Sequence, residues 1–251
     1  MSRRPGFIFN RGRIATVAGV AGPPPPPTTP LTILGANTLQ WCRGDLGVTI
    51  GTGVSAWADQ SGNGFDYAHA TGAAQPAFGA TDGPNGTPAL TFDGVDDSLL
   101  APGLTLAAPG TTPTWIWMVF KQITWLNTRR LFAATSSSNT HTVFHNGASP
   151  TLAAFNGVTA NNNAEAAVGT WVAAQFYYSS SVGDFIRVND NLPVTGTSAG
   201  NNAGGVGRTL GSGNAALFSN IATAEIVYAN VLPTNDQVAA FSAYRLARYG
   251  F

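Results

Sequence analysis

From Leu31 onward the chain is patterned for β-strands. Thr114 to Phe120 reads as one continuous apolar run, as expected of a strand covered on both faces inside a sandwich. Trp171 to Tyr178 reads the same way, with Gln175 as its single polar position. Phe185-Ile186-Arg187-Val188, then Asn189-Asp190-Asn191 and Leu192-Pro193-Val194, predicts a hairpin, because Asn and Asp tolerate the positive φ of a tight turn. Leu90-Thr91-Phe92 predicts a strand entering a turn at Asp93-Gly94, and Ala224 to Tyr228 a late strand. The pattern changes to helical spacing only near the end. Thr234 after Pro233 can cap a helix with Gln237 three residues on, Val238, Phe241 and Tyr244 share one face, and Gly250 ends it.

The first thirty residues do not share this pattern. Arg3, Arg4, Arg11 and Arg13 occur there with no acid, separated by the apolar stretches Phe7-Ile8-Phe9 and Ile14 to Val20. Five prolines, Pro23 to Pro27, then favour a stiff polyproline II spacer of about 3 Å per residue. The division is a basic docking arm over 1–22, a linker over 23–30 and one domain over 31–251. A secretory signal peptide and an unstructured tail are the competing readings of the first segment.

Composition narrows the class. Charged residues make up 10% of the 251 residues, with only two Glu and one Lys, so the residues that coat solvent-facing helices are scarce. An all-helical protein is excluded. No apolar run approaches the 18 residues of a membrane span, and the single Cys42 rules out an intramolecular disulfide. Twelve basic against twelve acidic residues argue against a nucleic-acid partner. The balance hides a split: four Arg and no acid in 1–30, eight basic and twelve acidic residues in the rest.

Val54 to Gly64, then Gln75-Pro76, then Leu90-Thr91-Phe92-Asp93-Gly94-Val95-Asp96-Asp97-Ser98-Leu99, resembles the opening of laminin-G-like, concanavalin A-like domains of bacterial surface and bacteriophage virion proteins. Phe185 to Leu192, Phe218 to Tyr228 and the ending Leu232 to Gly250 agree with it, so the resemblance covers about 31–251. It implies an all-β jelly-roll sandwich of two antiparallel sheets with one C-terminal helix. The arm has no counterpart in that family, and its layout is similar to the anchors of phage fibres and capsid decoration proteins. The expectation is therefore a virion structural protein on the particle surface. Arg3, Arg4, Phe7, Ile8, Phe9, Arg11 and Arg13 would meet a capsid or tail protein, and copies would associate as a homo-oligomer. The alternative is a carbohydrate-binding adhesin contacting a host glycan, with Trp41, Tyr67 and Trp125 as stacking faces.

Candidate chemistry is sparse. Glucanases of this fold carry paired carboxylates at alternate positions of one strand, and retention needs the pair about 5 Å apart. Neither Glu165 nor Glu225 has an acidic neighbour two or four residues away, so the sequence predicts no enzyme. Asp93, Asp96 and Asp97, with Asp59 as a fourth oxygen donor, are candidates for calcium, set against ordinary Asx-turn chemistry. His141 and His145 stand four apart on a predicted strand, and Gly196-Thr197-Ser198-Ala199-Gly200 lacks the helix that a nucleophile elbow requires.

Overall fold

The computed structural model describes residues 28–136, 140–156, 164–179, 183–196, 205–214 and 216–251. Two α-helices frame the strands, α1 Pro30–Leu34 and α2 Asn235–Tyr249. Between them run β1 Thr38–Arg43, β2 Val48–Ile50, β3 Val54–Trp57, β4 Tyr67–Ala68, β5 Ala77–Gly79, β6 Ala89–Asp93, β7 Leu99–Ala101 and β8 Thr114–Gln122. The second half adds β9 Arg130–Ala134, β10 Thr142–Asn146, β11 Thr151–Phe155, β12 Ala164–Glu165, β13 Trp171–Tyr178, β14 Phe185–Val188, β15 Val194–Thr195, β16 Arg208–Leu210 and β17 Asn220–Ala229.

The strands form two antiparallel sheets. The first has the order β15-β14-β13-β8-β17-β6-β5, with β1 also paired to β17, and the second β12-β11-β10-β9-β16-β7-β4-β3-β2. Between them lies a core of Trp57, Tyr67, Phe92, Phe120, Phe132, Phe176 and their neighbours, all buried. The expected pair of antiparallel sheets and the C-terminal helix are both present.

A second core explains the unbroken apolar run of β8. Ile116, Met118 and Phe120 face the other sheet, whereas Trp115, Trp117 and Val119 point to the outer face, where α2 covers them. The Phe241 ring meets the rings of Trp115 and Trp117 at centroid distances of 4.8 and 5.3 Å. Both faces of this strand are covered, as its sequence predicts. In the structure one of its covers is the helix, so the architecture has three layers.

The helix forms where its caps predict. Thr234 Oγ1 accepts the Gln237 amide at 3.3 Å, Gln237 Oε1 accepts the Thr234 amide at 2.9 Å, and Gly250 at φ 78° closes the C-terminus in the left-handed region. The short α1 has its own box between Thr29 and Thr32 and is tied to α2 by Gln237 Nε2 donating to the Ile33 carbonyl at 3.0 Å. No helix among the described residues is long and apolar enough to cross a membrane.

Candidate functional site

Acidic side chains gather in two places, and the first is under α2. In β17 the register against β8 slips between Thr223 and Glu225, which leaves Ala224 unopposed. The bulge puts Ala224 in the outer core and sends the Glu225 carboxylate to the same side, between β1 and α2. There it is fully buried and accepts hydrogen bonds from Trp41 Nε1, from Tyr244 Oη at 2.9 and 3.1 Å, and from Tyr249 Oη at 2.6 Å. Burial pushes the Glu225 carboxyl above its ordinary range, while these donors and the charge of Arg43 pull the other way. Three donors are the response expected of a carboxylate removed from water. In the sequence Glu225 has no acidic neighbour along its strand and so points to no site there. The available signal was a lone acid inside the otherwise uncharged strand Asn220–Ala229.

Beside this network runs an open groove of about 910 Å³ between α2 and β1. It is lined by Thr28, Thr29, Trp41, Arg43, Ala240, Ala243, Tyr244, Ala247 and Arg248. Arg43 and Arg248 both pair with Asp45, at 2.6 and 2.8 Å.

The second gathering is the loop end built by the β6–β7, β8–β9 and β16–β17 connections. Asp93 Oδ1 accepts the amides of Val95, Asp96 and Asp97 at 2.8, 3.3 and 3.5 Å, and Asp97 Oδ2 accepts the Asp93 amide at 2.9 Å. This is Asx-turn chemistry around Gly94, whose φ of 79° requires glycine beside Asn220. Ligand oxygens of Asp93, Asp96 and Asp97 lie within 4.8 Å of one another, a donor set of the kind calcium takes. Burial, reinforced by the charges of Asp93 and Asp96, raises the Asp97 carboxyl against the pull of the Asp93 amide. A small pocket of about 60 Å³ adjoins the turn, lined by Asp93, Gly94, Thr124, Leu126, Arg129, His145, Phe218 and Asn220. That volume suits a water or two, not a sugar ring.

Several predicted site residues are placed elsewhere. Asp59 does not join the acidic turn. Its oxygens accept the amides of Trp41, Ser61 and Phe65 and the Ser61 hydroxyl, at 2.7 to 3.1 Å, so it pins the β3–β4 connection to β1. Tyr67 is wholly buried between the sheets, stacked on Trp57 at 6.4 Å, and donates to Tyr228 Oη. Trp41 is 5% exposed, with its Nε1 committed to Glu225. Neither ring is open for stacking, because Tyr67 lies in the core between the sheets and Trp41 in the core under α2. Trp125 is half-buried and stacks on His145 at 6.1 Å. His145 itself is buried, as is His141, so neither presents a surface ligand. Arg3, Arg4, Phe7, Ile8, Phe9, Arg11, Arg13 and Ser198 lie outside the described residues.

No family model matches the chain, and no curated protein matches it. Solved structures do. A sialidase of Trypanosoma rangeli in complex with sialic acid superposes with a TM-score of 0.62 at 11% identity, over 89% of this chain and 36% of that one. A GH54 α-L-arabinofuranosidase soaked with a cyclic sulfate inhibitor gives 0.59 at 12%, over 78% and 51%. An arabinofuranosidase complexed with arabinofuranosyl-α-1,2-xylobiose gives 0.58 at 13%, over the same shares. The chain thus spans a third to a half of the length of these structures. At such identities the likeness shows the fold, an all-β sandwich, and it carries neither a laminin-G nor a phage relationship.

These neighbours overturn the expectation that the chain is not an enzyme, since the sandwich occurs within glycoside hydrolases. The sequence test compared acids along one strand. The acids that do stand together, Asp93, Asp96 and Asp97, share one turn instead, with ligand oxygens within 4.8 Å of one another.

Proposed function

We propose that the chain is a display module of a bacteriophage particle, a jelly-roll body held on a capsid or tail structural protein by its first thirty residues. The observation that carries this reading is where the body begins. Thr29 caps α1, and α1 is tied to α2 on the face of the first sheet away from the second. A segment that precedes Thr29 would join the body on this helix-covered face. Its four Arg without an acid suit an acidic seat, and the body's excess of acid suits solubility at the density of a particle surface. Deleting residues 1–22 is expected to lower the copies per purified particle by about tenfold or more. Unchanged incorporation refutes the anchor.

A second reading is saccharide recognition or processing at the loop end, favoured by the sandwich shared with the sialidase and the arabinofuranosidases. A sugar would lie across the exposed loop end rather than in the small pocket, with Asp93, Asp96, Asp97 and Arg129 as polar contacts and Trp125, stacked on His145, beside them. Saturable binding on a glycan array, or release of aryl groups from sialosides or arabinofuranosides, is its expected outcome. Failure of both assays on the intact chain removes it.

A further inference from the structure

α2 buries one side against the first sheet and leaves the other bare. Phe241, Tyr244, Arg245 and Tyr249 are buried, whereas Asp236, Ala239, Ala243, Leu246 and Ala247 are exposed on the opposite side. At helical spacing these five, with half-buried Ala240 at their margin, form one face about 120° wide, apolar except for the acid at its start. Leu246 is its one bulky side chain and is 53% exposed. Beside Leu246 an open groove of about 540 Å³ separates the helix from Arg187 and Asp190 of the β14–β15 hairpin. Asp190 pairs with Arg245, while Arg187 forms no salt bridge among the described residues and its Nε has no acceptor there.

We propose that this face is a dimer interface, covered by α2 of a second copy that runs antiparallel across a twofold axis at Ala243. The face fits itself in that arrangement. With Ala243 on the axis, Leu246 of one copy lies over Ala239 of the other and Ala247 over Ala240, so the bulky side chain meets a methyl group and the alanines let the helix axes approach to about 8 Å. Charge agrees with shape. The first turn of α2 carries Asp236 and the last turn Arg248, so an antiparallel copy sets unlike ends together at both ends of the interface and opposes the two helix dipoles. A parallel copy would set like ends together. The same twofold sets each groove wall against its counterpart, which makes the unpaired Arg187 available to an acid of the other copy. The inference goes beyond display and does not rest on it: the bodies pair through α2 whether or not residues 1–22 anchor them.

Sedimentation equilibrium of the intact chain at about 100 µM is expected to give a dimer. Ala243→Arg puts two like charges on the axis and should weaken the dimer about a hundredfold or more, with the urea midpoint of the monomer unchanged because the position is exposed. Mild oxidation gives the geometry. Ala243→Cys should cross-link to its own copy, and Ala239→Cys only when mixed with Leu246→Cys, while the fully buried Cys42 takes no part. A monomer at that concentration overturns the proposal, as does a dimer that Ala243→Arg leaves intact. Ala239→Cys that cross-links to itself as readily as Ala243→Cys overturns it too, because the copies would then not be antiparallel about Ala243.

Discussion

The helix-covered face and the loop end both collect acids, and they satisfy them in opposite ways. Glu225 takes its donors from side chains distant in sequence, Trp41 being 184 residues away, and the carboxylate is sealed from water. Asp93 takes its donors from backbone amides two to four residues on, in a turn open to solvent. The first arrangement exists only once three layers have assembled. The second is local chemistry that an Asp-Gly turn makes for itself. A buried acid with three donors welds the layers together, whereas the turn leaves Asp93 and Asp96 exposed to a ligand.

The largest break in this contrast is Glu225→Ala. It orphans the Trp41 N–H and the hydroxyls of Tyr244 and Tyr249 in a buried site, each worth about 1–3 kcal/mol, and should reduce unfolding free energy in urea by about 3 kcal/mol. Glu225→Gln keeps an acceptor and should cost about half of that. A loss under about 1 kcal/mol in the alanine variant would mean that water reaches the carboxylate.

The two regions should also respond to pH with opposite signs. Burial, aided by the charge of Arg129 and opposed by the Leu126 carbonyl, lowers His145 from 6.5 to about 4. The unfolded chain therefore binds a proton that the folded chain refuses, and stability present above about pH 6.5 is lost as pH falls towards 4, on the order of 2 kcal/mol. Glu225 runs the other way. Its folded carboxyl is raised, so its contribution is complete below the ordinary carboxylate value and is lost as pH rises through the folded one. His145→Gln should flatten the first slope and Glu225→Gln the second, measured as urea midpoints from pH 4 to 8. If His145→Gln leaves the acid slope unchanged, the ring is not sealed at the loop end.

Asp93→Ala should have the smallest effect. It removes the acceptor of three amides in its own turn, two of them exposed, and should cost about 1 kcal/mol, with the helix face undisturbed. A loss as large as that of Glu225→Ala would erase the distinction between the regions.

What was readable in the chain follows the same division. The strands Thr114–Gln122 and Trp171–Tyr178, the helix from Asn235 and the turn at Asp93-Gly94 are each written in neighbouring residues, as periodicity, caps or turn formers. The candidate site was read less well. Asp93, Asp96 and Asp97 stand together as expected, because they share one turn. Asp59 looked equivalent by composition, yet its partners are amides near and far that only the folded chain supplies.

The sequence by itself determined the β-rich class, the two-faced burial of Trp115 to Phe120, the closing helix and the unequal charge of residues 1–30 and 31–251. The tertiary structure decided what covers each strand face. It buried Trp41 and Tyr67, which composition alone left free to stack on a ligand. It also turned Glu225 inward through a bulge at Ala224 that no local pattern announces. The physical reason is common to all three. Burial and register depend on which distant segments meet, and a strand's own residues state only that both of its faces need a partner.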